Sequence, residues 1–145
     1  MDFFGAMEIS ASGLDAERVR MNVAASNLAN VHTTRTADGG PYKRRDVVLA
    51  AVAAEEGLTP DAPDADGARV FRVEAAEIVE DQSPPRLAYD PSHPDANAEG
   101  YVAMPNVNVV EEMVDMITAT RAYEAGVSAL KSASAMAEGA LNIGR

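Results

Sequence analysis

NVVEEMVDMITATRAYEAGVSALKSASAMAEGAL, residues 108–141, decides the fold. Within it Met113, Met116, Thr120, Tyr123, Val127, Leu130, Ser134, Ala137 and Leu141 follow at alternating spacings of three and four. That rhythm places them on one stripe of a helix. Four heptads of it read as a coiled-coil seam rather than a globular-domain stripe. Asn108 followed three residues on by Glu111 is a capping-box-like start, with Pro105 just outside. At about 1.5 Å per residue the helix would run to about 51 Å. Thr120, Ser134 and Ala137 bury little apolar area, so the seam is weak and needs a partner.

The partner is expected in residues 6–31. Met7, Leu14, Met21 and Leu28 recur every seven, with Ala11, Arg18 and Ala25 at the intermediate positions. Gly5 and Gly13 each cost roughly 1 kcal/mol against Ala inside a helix. Asn30 is suited to a C-terminal cap in the left-handed conformation.

Residues 32–105 differ in kind. They hold all eight prolines, with 14 acidic and 7 basic residues. Asp38-Gly39-Gly40-Pro41 is a turn signal. Residues 42–52 read as a strand that opens on Lys43-Arg44-Arg45. Residues 55–67 form an acidic, Pro-containing loop. Residues 69–79 are β-rich, and their alternation changes phase at Ala75-Ala76, which suggests a bulge. Residues 86–89 and 101–104 are short strand candidates around a loop. The expected fold is therefore α+β: long N- and C-terminal helices pairing as a coiled-coil-like unit, with a small β-rich insert between them. Residues 1–31 with 106–145 would form one discontinuous helical domain, and 32–105 the insert.

The chain's 145 residues suffice for one domain with a core, and 47% hydrophobic content favours folding. Aromatics are only 5%, so the interior should consist of Ala, Val, Leu and Met. Without cysteine there is no disulfide, thiolate metal site or cysteine nucleophile. A formal net charge of −11 argues against nucleic-acid binding and against adsorption to an anionic membrane. The longest apolar run, residues 47–54, is far short of a membrane span and predicts no direct membrane insertion. The first residues lack a basic n-region, and Glu8 interrupts any apolar h-region. The expectation is a cytosolic chain, or one exported by a route that reads no cleaved signal.

Candidate chemistry is thin. Asp64-Ala65-Asp66-Gly67 resembles the middle of a calcium loop. Ala62 and Val73 stand where an EF-hand needs carboxylates, so it reads as a solvated acidic loop. His32 and His93 lack ligand spacing. Glu74, Glu77 and Glu80 read as a charged strand face. No phosphate loop or nucleophile elbow occurs in the sequence. No catalytic residue, cofactor or metal is expected. Lys43-Arg44-Arg45 reads as an electrostatic contact to the acidic surface of a neighbouring subunit.

Ala24-Ala25-Ser26-Asn27-Leu28-Ala29-Asn30 with Thr33 resembles the N-terminal signature of bacterial flagellar rod, hook and hook-associated axial proteins. Asn106, Val107, Glu112 and Met113, then Arg121 and Tyr123 in TATRAYEA, are similar to the matching C-terminal signature. The short length, the turn at residues 38–42 and the segment 89–107 resemble the proximal-rod group of that family. Gly126 stands where the family usually shows Asn. The resemblance implies a structural part of the basal-body rod in the periplasmic space, exported by the flagellar type III apparatus without a cleaved signal. It implies contacts with copies of itself, neighbouring rod proteins and the rod-base adaptor at the export gate. The seam residues Met7, Leu14, Met21, Leu28, Met113, Met116, Tyr123, Val127, Leu130 and Leu141 would serve fold and assembly together. The alternatives are another short axial protein, or a coiled-coil adaptor or export-chaperone-like binding module. A peptidoglycan hydrolase stands third.

Overall fold

The computed structural model describes residues 3–53 and 71–143. The acidic loop at 55–67, with its calcium-like run, lies outside the described residues. The chain order is α1 (Phe3–Ala29), β1 (Arg45–Ala53), β2 (Phe71–Glu80), β3 (Arg86–Tyr89), β4 (Tyr101–Met104) and α2 (Val109–Ile143). The fold is α+β, with two antiparallel two-stranded sheets between the long helices. No described helix is long and apolar enough to cross a membrane.

The helices pair within one chain and run antiparallel. Asn27 bonds Glu112, the Thr120 hydroxyl reaches Met21 Sδ at 3.4 Å, and Leu14 abuts Gly126. α2 begins as its cap residues dictate. Asn108 Oδ1 accepts from the Val110 N–H at 3.1 Å, and the Asn108 carbonyl accepts the first helical bond from Glu112. Glu111 and Glu112 lie in the first turn, where the helix dipole favours negative charge.

The faces differ in part from the heptad reading. On α2 the buried or half-buried set is Glu112, Asp115, Met116, Ala119, Tyr123, Gly126, Val127, Leu130, Ala133, Ser134 and Ala137. Met113 is 53% exposed and Leu141 is 74% exposed. On α1, Leu14, Met21 and Leu28 are half-buried and Met7 is exposed, while Ala16, Ala24 and Asn27 are the most buried positions. The cause is that α1 has two partners. The β1–β2 hairpin lies along it as well as α2, so small side chains between the two contacts lose the most water.

The hairpin bulge occurs where the alternation changes phase. Val48 pairs with Glu77 and Leu49 with Ala75, which leaves Ala76 as the extra residue of β2. β1 starts at Arg45 rather than at residue 42. The preceding backbone groups go elsewhere: the Tyr42 N–H to the Thr33 carbonyl, and the Arg44 N–H to Asn106 Oδ1. Asn30 ends α1 without the left-handed conformation; among described residues only Gly39, Gly40 and Gly100 have positive φ. Its side-chain amide donates to the Ser26 carbonyl at 2.9 Å, and its Oδ1 accepts from the Thr33 hydroxyl. β3 and β4 carry an edge-on Tyr89–Tyr101 pair, centroids 5.3 Å apart. Gly100 closes their loop at φ +83, where a Cβ would stand 2.9 Å from the Tyr89 ring.

Candidate assembly site

Both terminal signatures converge on one buried junction. Asn27, on the last turns of α1, and Glu112, on the first turn of α2, are each only 1% exposed. Asn27 Nδ2 donates to Glu112 Oε2 at 2.9 Å and to the Arg45 carbonyl at 2.8 Å. Asn27 Oδ1 accepts from the Tyr42 hydroxyl at 2.9 Å and the Arg45 N–H at 3.0 Å. Every hydrogen-bonding capacity of the amide is thus used. Toward Arg45 it acts as a peptide group would, accepting from its N–H and donating to its C=O.

Arg44 supplies the charge that a buried carboxylate needs. Its Nε donates to Glu112 Oε1 at 2.6 Å, and its two terminal nitrogens lie 3.4 Å from Asp46 and Asp115. Burial alone would lower the Arg44 pKa, but the hydrogen bond to Glu112 and the attraction of Glu112 and Asp46 raise it above the ordinary arginine value. Asn106 completes the junction. Its Oδ1 accepts from the Arg44 N–H, and its Nδ2 donates at 3.3 Å to the carbonyls of Asp81 and Ser83. One arginine, two asparagines and one glutamate therefore fasten α1, the start of β1, the end of β2 and α2 to each other.

Within the chain the basic triplet serves the fold. Lys43 Nζ donates to Gln82 Oε1, Arg45 pairs with Glu80 at 3.3 Å and lies over the Tyr42 ring, and Arg44 is committed as above. The signature residues Met113 and Arg121 stay on the surface, and Val107 is buried. Sequence reasoning marked Arg44 only as one of three cations and passed over Tyr42 and Asp115 at the junction. It also passed over Val110, Val114 and Ile117, which join Met113 in an i, i+3, i+4, i+7 row, each more than half exposed. That spacing was readable; the heptad stripe beside it claimed Met113 and left the other three unread.

The arrangement is a frame with an uncovered apolar helix face, and among the described residues no cluster of His, Asp and Glu is set to hold a metal. Residues 7–35 match the family described as flagella basal body rod protein, and residues 98–143 match flagellar basal body rod FlgEFG protein C-terminal. The class is therefore that of flagellar rod proteins, recognised at both ends of the chain. The flagellar basal-body rod protein FlgC of Borreliella burgdorferi is 44% identical over 99% of this chain and 98% of its own length. That of Bacillus subtilis is 42% identical over the whole of both chains, and that of Aquifex aeolicus 46% identical over 89% and 87%. The chain belongs to the FlgC family of flagellar basal-body rod proteins.

Proposed function

We propose that the chain is a structural subunit of the flagellar basal-body rod, a mechanical part rather than a catalyst, which packs through its terminal-helix pair into the proximal part of the tube. Residues 1–31 with 106–145 would be the rod-core unit and 32–105 the outward insert. The observation that carries this reading is the apolar row on α2, with Val110 67% and Ile117 55% exposed in a family of assembling proteins. Leu141 instead continues the seam stripe of Leu130, Ser134 and Ala137 past the start of α1, where within the chain nothing described faces it. Contacts with copies and neighbouring rod proteins would bury both, so folding and assembly are linked. Repeated heterologous contacts that do not close make an open helical tube. Leu14, Met21, Leu28, Met116, Tyr123, Val127 and Leu130 would hold the pair, while Met7, Met113 and Leu141 would face other subunits. Export through the flagellar type III apparatus and residence in the periplasmic rod complete the reading.

The test uses Ile117→Asp and Leu141→Asp. Each should leave the monomer's unfolding midpoint nearly unchanged, yet abolish swimming and leave incomplete rods in micrographs of purified basal bodies. Leu130→Asp should lower monomer stability as well. Complete rods and normal swimming in both surface variants would overturn the reading.

A further inference from the structure

The β1–β2 hairpin has one guarded edge and one open edge, and two sets of hydrogen bonds identify them. The Val73 N–H on β2 donates to Ser12 Oγ of α1 at 3.1 Å, so it points away from β1. Val73 is paired with Ala51, which makes this the non-hydrogen-bonded kind of pair. The N–H and C=O of Ala51 therefore also turn outward, on the far side of β1. Alternation carries the same direction to Leu49, two residues earlier. At the base of the strand Arg45, in the same phase, directs both backbone groups outward onto Asn27. The Val47 N–H is held by its neighbour's carboxylate, Asp46 Oδ1, at 2.8 Å. Among the described residues, no hydrogen-bond partner meets the outward groups of Leu49 and Ala51.

Strand edges that must stay single are blunted by charge, proline or a covering element. The edge of β2 has such cover: α1 lies against it and the strand carries Glu74, Glu77 and Glu80. Residues 47–53 of β1, VVLAAVA, carry no charge and no proline, and Val48 and Leu49 are exposed. An open edge of this kind recognises an extended chain through backbone bonds, with small apolar side chains setting what can lie against it. Asn27 has already supplied the first rung at Arg45, so the next rungs fall at Leu49 and Ala51.

We propose that the outer edge of β1, residues 47–53, is a strand-addition site for an extended, uncharged segment of a neighbouring rod subunit. This rests on the rod reading above and adds a sheet contact to the helical one. A charged segment is disfavoured because its side chains would lie on Val48 and Leu49 without a counter-charge.

Ala51→Pro tests it, since proline removes an outward N–H that the fold does not use. Ala50→Pro, which removes the N–H facing β2, is the reference for damage to the hairpin. Ala51→Pro should keep the monomer's urea midpoint close to wild type, unlike Ala50→Pro. Each lost rung should weaken a subunit contact about tenfold, read as loss of the variant from purified basal bodies. Independently, backbone hydrogen exchange at Leu49 and Ala51 of the wild-type chain should be slow in basal bodies and fast in the monomer. That measurement decides the matter if Ala51→Pro unfolds. Equal exchange in both states, or wild-type incorporation of a folded Ala51→Pro, overturns the proposal. Absence of the wild-type chain from basal bodies would instead overturn the rod reading.

Discussion

Replacing Arg44 with methionine keeps the length and much of the apolar stem of the side chain and removes the cation that reaches Glu112. The carboxylate left behind is 1% exposed and retains the amide of Asn27 as a donor. Breaking a fully buried pair by removing one partner costs roughly 3–5 kcal/mol. Two features place Arg44→Met below that range. The Arg44 side chain keeps 20% of its exposure, so water already shares its solvation, and the Asn27 bond to Glu112 survives. We expect a loss of about 2–3 kcal/mol, a large fraction of the few kcal/mol that hold a domain of this size. Glu112→Gln keeps an acceptor for Arg44 but gives up the charge-assisted part of the bond, so it should cost about 1–2 kcal/mol.

Urea titrations followed by far-ultraviolet circular dichroism on the monomer measure both, with the slope against denaturant unchanged if only the native state is affected. The double variant Arg44→Met with Glu112→Leu removes the stranded charge. It should be less destabilised than the sum of its single variants by about 1–3 kcal/mol. An Arg44→Met protein within about 0.5 kcal/mol of wild type would refute the reasoning, because surface substitutions away from any network behave that way.

Two further outcomes follow from local geometry. Gly13→Ala, with open space around the added methyl, should stabilise by about 0.5–1 kcal/mol. Gly126→Ala should gain less in the same thermal melts, because its methyl would stand 2.8 Å from Leu14 Cδ2 and turn that side chain out of the seam. The Asp90 carboxylate is held below the usual range by the hydroxyl and N–H of Ser92, and Asp81 by the side chain and N–H of Ser83. A lowered native pKa contributes stability that is present above the unfolded value and lost as pH falls through the native one. The melting midpoint should therefore drop below about pH 4, and Asp90→Asn should make that drop shallower.

Long-period features were legible in the sequence, and contacts between distant residues were not. Spacings of three and four mark α2 because a helix repeats its face locally, and Asn108 marks its start because its side chain completes the first turn. The phase change at Ala75-Ala76 revealed the bulge because strand alternation is also local. The partners of α1 were hidden. A heptad of Met and Leu describes one neighbour, and α1 has two, so Ala16 and Ala24 are buried while Ala11, Arg18 and Ala25 are not. Arg44 was hidden for a different reason. Nothing in Lys43-Arg44-Arg45 tells which of three cations meets a carboxylate 68 residues away. The family signatures marked Asn27 and Glu112 as a set without showing that they touch.

The junction also answers why a seam this poor in large side chains should hold one register. Ala16, Ala24, Ala119, Gly126, Ser134 and Ala137 offer few knobs, and sliding the helices by one heptad replaces small residues with small residues. Such a slip would set Asn27 against Ala119. It would bury the Asn27 amide without its partners and part Glu112 from both Asn27 and Arg44, at a cost of several kcal/mol. Register is thus held by polar groups, as a hypothesis that the absence of native cysteine makes easy to test. A Leu14→Cys, Gly126→Cys pair reports the observed register, and a Leu14→Cys, Ala133→Cys pair reports a one-heptad slip. In the otherwise wild-type chain only the first pair should cross-link. With Asn27→Leu, Arg44→Met and Glu112→Leu added, both should, although the helices remain folded. Cross-linking confined to the first pair in that background would show that the small-residue seam sets the register by shape alone.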